Sequence, residues 1–418
     1  MSFEVVPGKQ CGPFTLGMSL FAAMRVVKTL QVADTCKTSI TYSRLHPVDS
    51  PVLVDVAKLG MRLRFESAMQ QLFLIEVYDL DLVSVSFNNQ THVVGKGIGK
   101  ETGTLRAMYP VLGATHAGFR RPELGRDAFC FQYPGFLIQF AVPEKEVFQG
   151  IPFVLASTSQ SPRVSRFFVH EVDFPKVIAT SPIAKRLVEV AFKDDGPVVT
   201  FPRGFVIKIG ETHCQEVLSS LSQPNSTCAK PKEQFANNKH KLINNYDYFF
   251  NYHTFGLDVL FDGKTHVVKQ VILRTNLVPH PQFNVYAKCC FHIKFQLKPR
   301  KRAAAAAPPP VSPKAPAPRH HHLLPTSFEE LLMGSSSEPS PPPLKPKVGT
   351  ATVSDLERTV TCDEKWTSIA NKLDMQNEQP MVHEPPEQPF GPCWLFSTTR
   401  SVFEIDQQSL HIATFTIF

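Results

Sequence analysis

The sequence predicts an α+β protein of two related halves, each made of repeated helix plus β-hairpin units with mostly antiparallel sheets, interrupted by a disordered loop. Three observations carry this expectation. Residues 245–274 read as consecutive strands. The order of strand, glycine and helix around Gly17, Gly60 and Phe65 returns around Gly210, Gly256 and Phe261. Residues 299–349 hold thirteen prolines and the alanine run 303–307, a composition that cannot bury enough apolar surface to offset its ordering entropy.

The elements follow in order. Residues 14–16 read as a strand and Gly17 as a turn. Residues 19–30 form a helix, because Leu20, Phe21, Met24 and Val27 share one face at helical spacing. Residues 52–56 are a strand, and Met61, Leu63 and Phe65 then alternate with Arg62, Arg64 and Glu66, the period of a half-buried strand that returns over 72–78. Leu105, Met108 and Leu112 mark a shorter helix ending at Gly113. The pattern restarts at 205–209, with a helix carrying Cys214, Val217, Leu218 and Leu221 on one face. Residues 246–253 form an aromatic strand and Gly256 a tight reversal. Leu257, Val259 and Phe261 alternate with Asp258 and Asp262, and Asp262-Gly263 closes a hairpin into 267–273. The two aspartates are expected on a solvated strand edge. A last unit has Trp366, Ile369, Ala370 and Leu373 on a helix, followed by strands near 394–396, 402–405 and 410–415.

The spacing argues for duplication. Gly17 and Gly60 lie 43 residues apart, Gly210 and Gly256 46 apart, and Gly60, Gly135 and Gly256 each precede a phenylalanine by five. The last unit lacks this glycine. A helix plus hairpin cannot bury both faces of its sheet, so neighbouring units must cover one another. The expected organisation is a first half over 1–195, a second half beginning at 196–298, an insertion at 299–349, and the closing unit at 350–418.

Composition excludes several function classes. A chain of 418 residues with 43% apolar residues buries one large or two medium cores. No apolar run approaches the roughly 18 residues of a membrane span, and no N-terminal secretion signal is read. Nine cysteines, without any C-x-x-C spacing, suit reduced thiols in a cytoplasmic protein. Residues 298–349 carry eight basic and three acidic groups, a net +5 against +7 for the chain, so the rest is nearly neutral and offers no nucleic-acid face. No G-x-S-x-G, H-E-x-x-H or phosphate-loop motif is present. The fifteen histidines are dispersed without paired ligands, so no catalytic residue, cofactor or metal is expected.

Two clusters in the insertion are candidate contact sites. Lys298, Arg300, Lys301 and Arg302 form a basic cluster suited to anionic lipid headgroups. Phe328, Leu331 and Leu332, with Glu329 and Glu330, have the spacing of motifs that add to the sheet edge of ubiquitin-like autophagy modifiers; Ser327 and Glu330 alternatively cap a helical turn. The aromatic strand supplies a third candidate: Tyr246, Tyr248, Phe249, Phe250, Tyr252, Gly256, Phe261 and Asp262.

The run Tyr-Asp-Tyr-Phe-Phe-Asn-Tyr at 246–252, Phe-Gly-Leu-Asp-Val-Leu-Phe-Asp at 255–262, and Asn284-Val-Tyr286 resemble the phagosome assembly factor 1 family, also catalogued as Lin-10 homologues. Glu4-Val-Val-Pro7, Phe14-Thr-Leu-Gly17, Gly113-Ala-Thr-His116 and Lys365-Trp366 fit the same family. The resemblance implies a non-enzymatic factor in autophagosome formation, recruited peripherally to autophagic membranes with a phosphoinositide-binding β-propeller partner. A Golgi-to-surface trafficking adaptor is a second reading. A lipid- or ligand-binding protein with the aromatic strand lining a cavity is a third.

Overall fold

The computed structural model describes residues 1–30, 38–87, 90–94, 103–104, 108, 112, 118–120, 128–141, 163–171, 187–230, 246–296, 357–384 and 391–418. Alternating burial sets the strands. The first set is β1 (Ser2–Val6), β2 (Gln10–Cys11), β3 (Phe14–Thr15), helix α1 (Leu20–Leu30), β4 (Thr38–Thr41), β5 (Val52–Val56), β6 (Met61–Phe65), β7 (Leu72–Val77), β8 (Ser84–Phe87), β9 (Gln90–Val94), β10 (Phe119–Arg120), β11 (Ala128–Tyr133), β12 (Phe136–Ala141) and β13 (Val164–His170). The second set is β14 (Val188–Lys193), β15 (Gly196–Thr200), β16 (Val206–Lys208), α2 (Cys214–Leu221), β17 (Ser226–Ala229), β18 (Tyr248–Tyr252), β19 (Leu257–Phe261), β20 (Val268–Arg274), β21 (Phe291–Gln296), β22 (Glu357–Thr361), α3 (Trp366–Leu373), β23 (Met381–His383), β24 (Cys393–Ser397), β25 (Ser401–Asp406) and β26 (Ile412–Ile417).

Each set builds a five-stranded and an eight-stranded sheet. The orders are β3-β2-β1-β8-β9 and β10-β11-β12-β13-β7-β6-β5-β4, then β16-β15-β14-β21-β22 and β17-β18-β19-β20-β26-β25-β24-β23. Counting thirteen strands on from any member of the first pair gives its counterpart in the second. Both small sheets are crossed by a parallel pair at the same place, β1 on β8 and β14 on β21.

Strands dominate, so the molecule lies nearer all-β than the α+β class expected. The recurring unit also differs from a helix with a hairpin: α1, α2 and α3 each precede a meander of four strands. Its contacts recur atom for atom. The amides of Tyr78, His170, Arg274 and Phe418 donate to the carbonyls of Gly60, Gly135, Gly256 and Arg400 at 2.8, 3.1, 2.8 and 3.1 Å. The glycine is needed where another segment crosses the turn. At Gly256, φ is +72° and a Cβ would lie 2.2 Å from the Ala287 carbonyl oxygen. Between the third and fourth strands of three meanders, an acid opens a six-residue loop and accepts from an amide three residues on: Glu66 from Met69, Asp262 from Thr265, and Asp406 from Ser409. The fifth residue of each loop, Gln70, His266 or Leu410, has left-handed φ of 53°, 57° and 61°. Its carbonyl accepts the amide of Leu20, Cys214 or Trp366 at 2.8, 2.9 and 2.7 Å, satisfying a donor that the helix itself leaves open.

The cores lie on the inner faces of the large sheets. Val52, Val54, Met61, Leu63, Phe65 and Ile75 meet Leu20, Ala23 and Val27 of α1, with Val5 and Val85 from the small sheet beyond. In the second pair Val259, Phe261, Val271 and Leu273 meet Val217 of α2 and Trp366 and Ile369 of α3. Trp366 stacks on Phe396 with ring centroids 3.9 Å apart.

Candidate functional site

Three features of the described residues combine polar chemistry with a shaped surface. The first is a seam between the sheet pairs. Gln70 and Asn276 are both buried and both have positive φ. Asn276 Nδ2 donates to Gln70 Oε1 at 2.7 Å, and Gln70 Nε2 donates to the Asn276 carbonyl at 2.9 Å. Nearby, Lys288 has a side chain only 2% exposed and donates to Asp363 Oδ1 at 2.7 Å and to the Ser67 carbonyl at 3.3 Å. Burial would pull its pKa down, but the Asp363 carboxylate outweighs burial and holds the ammonium above the usual lysine range. The loops exchange apolar groups as well: Met69 enters the second core, while Val278 and Phe283 join the first.

The second feature is a pair of polar networks on the outer faces of the large sheets. On the first, Arg62 Nε donates to Asp55 Oδ2 at 3.0 Å and its guanidinium sits 4.5 Å over the Tyr78 ring, whose hydroxyl donates to Asp55 at 2.8 Å. Burial, then that bond to a carboxylate, pushes the Tyr78 pKa up to about 12. Beside them Glu76, 1% exposed, meets Arg166 at 2.9 Å, Arg64 at 3.6 Å and Arg62 at 3.7 Å. On the second sheet the equivalent positions carry a different set: Asp258 stands where Arg62 does, Asn251 where Asp55 does, Ile272 where Glu76 does and Arg274 where Tyr78 does. Asp258, 1% exposed, accepts from Arg274 Nη2 at 2.6 Å and Nε at 2.8 Å, and from Asn251 and the Tyr286 hydroxyl, each at 2.7 Å. Arg274 lies 4.5 Å over the Tyr286 ring and also bonds Gln282.

The third feature is a groove of about 420 Å³ lined by Phe21, Met24, Arg25 and Lys28 of α1 and by Asn225, His253, Asn284 and Val285. Leu20, Phe21, Ala23 and Val27 of α1 are buried and Met24 packs against the first core, so of the groove-lining residues of α1 it is Arg25 and Lys28 that turn to solvent. Arg25 and Lys28 are exposed, and among the described residues neither makes an ion pair. Val285 is 44% exposed at the groove. An apolar floor beside two uncompensated cations suits a ligand that is both apolar and acidic.

The residues singled out from sequence are distributed unevenly. Tyr252 and Phe261 are core, and Tyr248 and Phe250 pack against that core from β18. Tyr248 stacks on Phe261 at 5.3 Å. Phe249 is half-buried and Tyr246 is 42% exposed. Gly256 forms the crossing described above, and Asp262 opens its loop. Asp258 is a correction: it lies on an interior strand, and the loop over 275–290 brings Tyr286 across it, so it is sealed rather than solvated. Lys298, Arg300, Lys301 and Arg302, and likewise Phe328, Leu331 and Leu332, lie outside the described residues. Sequence reasoning missed Lys288, the Gln70–Asn276 pair, and the outward Arg25 and Lys28. Only the last had a local signal: two cations three apart, each four residues after an apolar residue of α1.

These features define a class: strand-dominated, internally duplicated proteins with polar networks on the outer faces of their large sheets, one of them covered by a loop, and with no helix of the described residues long and apolar enough to cross a membrane. The chain belongs to the phagosome assembly factor 1 family, whose profile matches residues 10–418. It is similar to a PHAF1 protein of Arabidopsis thaliana, 27% identical over 318 residues that cover 70% of this chain and 74% of that protein. A PHAF1 protein of Drosophila melanogaster is 24% identical over 71% of this chain and 75% of its own. One of Caenorhabditis elegans is 24% identical over 70% and 77%. No solved structure matches the chain.

Proposed function

We propose that the protein is a non-enzymatic adaptor in autophagosome assembly, acting at autophagic membranes with a phosphoinositide-binding β-propeller partner. The observation that carries the reading is membership of the phagosome assembly factor 1 family over residues 10–418. The groove along α1 supplies a docking face, and its occupant is an apolar, acidic segment of the partner, because Arg25 and Lys28 complement carboxylates while Phe21 and Met24 cover apolar side chains. The insertion is accessory, its basic cluster at 298–302 meeting anionic headgroups and its Phe328 segment meeting a ubiquitin-like modifier.

The test is affinity capture from starved cells with the full chain, the chain lacking 299–349, and R25E/K28E. The reading expects a β-propeller protein with the first two and a loss of at least tenfold with the third. Capture of no propeller protein by the full chain refutes the adaptor reading. Capture undiminished by R25E/K28E removes the groove from it.

A further inference from the structure

On the outer face of the second large sheet, at the end away from Asp258, two neighbouring strands and one loop aim metal-binding atoms at a single point. His280 Nε2, Cys393 Sγ and a Glu404 carboxylate oxygen all lie within 4.8 Å of one another. His280 comes from the loop over 275–290, Cys393 from β24 and Glu404 from β25. His383 of β23 pairs directly across from Cys393, so both project from the same face. We propose that His280, Cys393 and Glu404 hold a zinc ion and that His383, 3.5 Å from Glu404 Oε1 but outside the three-residue cluster, swings in from the edge strand as the fourth, tetrahedral ligand.

The distances support this. Glu404 Oε1 is 3.4 Å from His280 Nε2 and 3.5 Å from His383 Nδ1. Both are long for hydrogen bonds to a carboxylate, which prefer about 2.7–2.9 Å. They are close to the separation of about 3.3 Å between two ligands that each sit about 2.0–2.1 Å from one tetrahedral zinc. The other carboxylate oxygen is held away from that point: Thr414 Oγ1 donates to Glu404 Oε2 at 2.6 Å, the outer hydrogen bond that orients a ligating carboxylate. His280 and Cys393 are buried, Glu404 is 13% exposed, and His383 stands 49% exposed at the edge strand, leaving one open side for entry. One imidazole, one thiolate, one carboxylate and a second imidazole form a donor set of the borderline kind that zinc takes. One local bond changes on binding. Gln282 N–H points at His280 Nδ1 at 3.3 Å, and coordination through Nε2 places the proton on Nδ1 and releases that contact. Bound zinc would tie the 275–290 loop and the edge strand β23 to the sheet.

The test uses the purified full chain, stripped with chelator and titrated with zinc against a chromogenic competitor. The site predicts one zinc per chain, at least tenfold weaker binding in H383A and C393S, and about 10–100-fold weaker binding in T414V. The exposed His46 changed to alanine leaves affinity unchanged. Cobalt(II) in place of zinc should give a sulfur-to-metal charge-transfer band that C393S abolishes, which identifies the thiolate independently. If C393S fails to fold, H383A on the exposed edge carries the comparison. Zinc binding equal in wild type, H383A and T414V, or no thermal shift of the stripped wild type at saturating zinc, overturns the proposal.

Discussion

Removing the carboxylate of Asp258 tests whether the outer-face network of the second sheet is sealed as the geometry requires. Asp258→Ala leaves Arg274, with a side chain 14% exposed, facing a cavity without its counter-charge, and strips the acceptor from Tyr286 and Asn251. Breaking a buried pair by removing one partner costs about 3–5 kcal/mol. Asp258→Asn keeps an acceptor oxygen and loses the charge, so about 1.5–3 kcal/mol is expected, the range of a hydrogen bond to a charged group. Replacing both partners, D258L/R274M, exchanges the pair for apolar contact and should recover the part of the loss that comes from the uncompensated charge, while Tyr286 and Asn251 stay without their acceptor. The assay is urea unfolding of each variant, analysed as a double-mutant cycle. A loss below about 1 kcal/mol in D258A, or a double variant worse than either single one, would show that Asp258 is solvated and refute the argument.

Other outcomes follow from the same geometry. Gly256→Ala should cost more than about 2 kcal/mol, since left-handed strain adds to a blocked crossing, whereas Gly210→Ala, at φ +85° with no atom within 4 Å, should cost only about 1 kcal/mol of strain; equal losses in urea unfolding would contradict this. Trp366→Ala removes the ring stacked on Phe396 and should lower stability by about 3–5 kcal/mol, read the same way. Backbone amides, that of Thr265 first and then that of Lys264, hold the Asp262 pKa down at about 2 from 3.8. The folded value lies below the unfolded one, so this contribution is present above pH 3.8 and is lost as pH falls toward 2. D262N should therefore flatten stability against pH in that window, and an unchanged slope would contradict it.

Legibility followed the range of the contacts. The strands β5, β6 and β7 and the inner face of α1 could be read because alternation and helical spacing are local, and Gly60, Gly135 and Gly256 could be read because each sits five residues before its phenylalanine. The four-strand meander was cut short to a hairpin because its outer strands, such as β4 and β17, are short and weakly patterned. The parallel pairing of β1 with β8 and the assembly of the small sheets depend on contacts across the whole set, which no window contains. Asp258 was misjudged for the same reason: its alternation said outward, and only Tyr286 and the 275–290 loop make outward mean buried. His280 and Glu404 meet from distant parts of the chain, so histidine spacing could not mark them.

The exchange of loops at the seam has a consequence for the order of events during synthesis. Val278 and Phe283 complete the core of the first sheet pair, yet they lie far downstream of β13, the last strand of that pair. At roughly 5–20 residues per second, the ribosome supplies them on the order of ten seconds after β13. Until then the nascent first pair has a gap in its core where Val278 belongs, and Gln70 has no amide to meet. Long-range closure of this kind slows folding, and it makes release of the second half of the chain, rather than of the first, the step that commits the molecule to its native state.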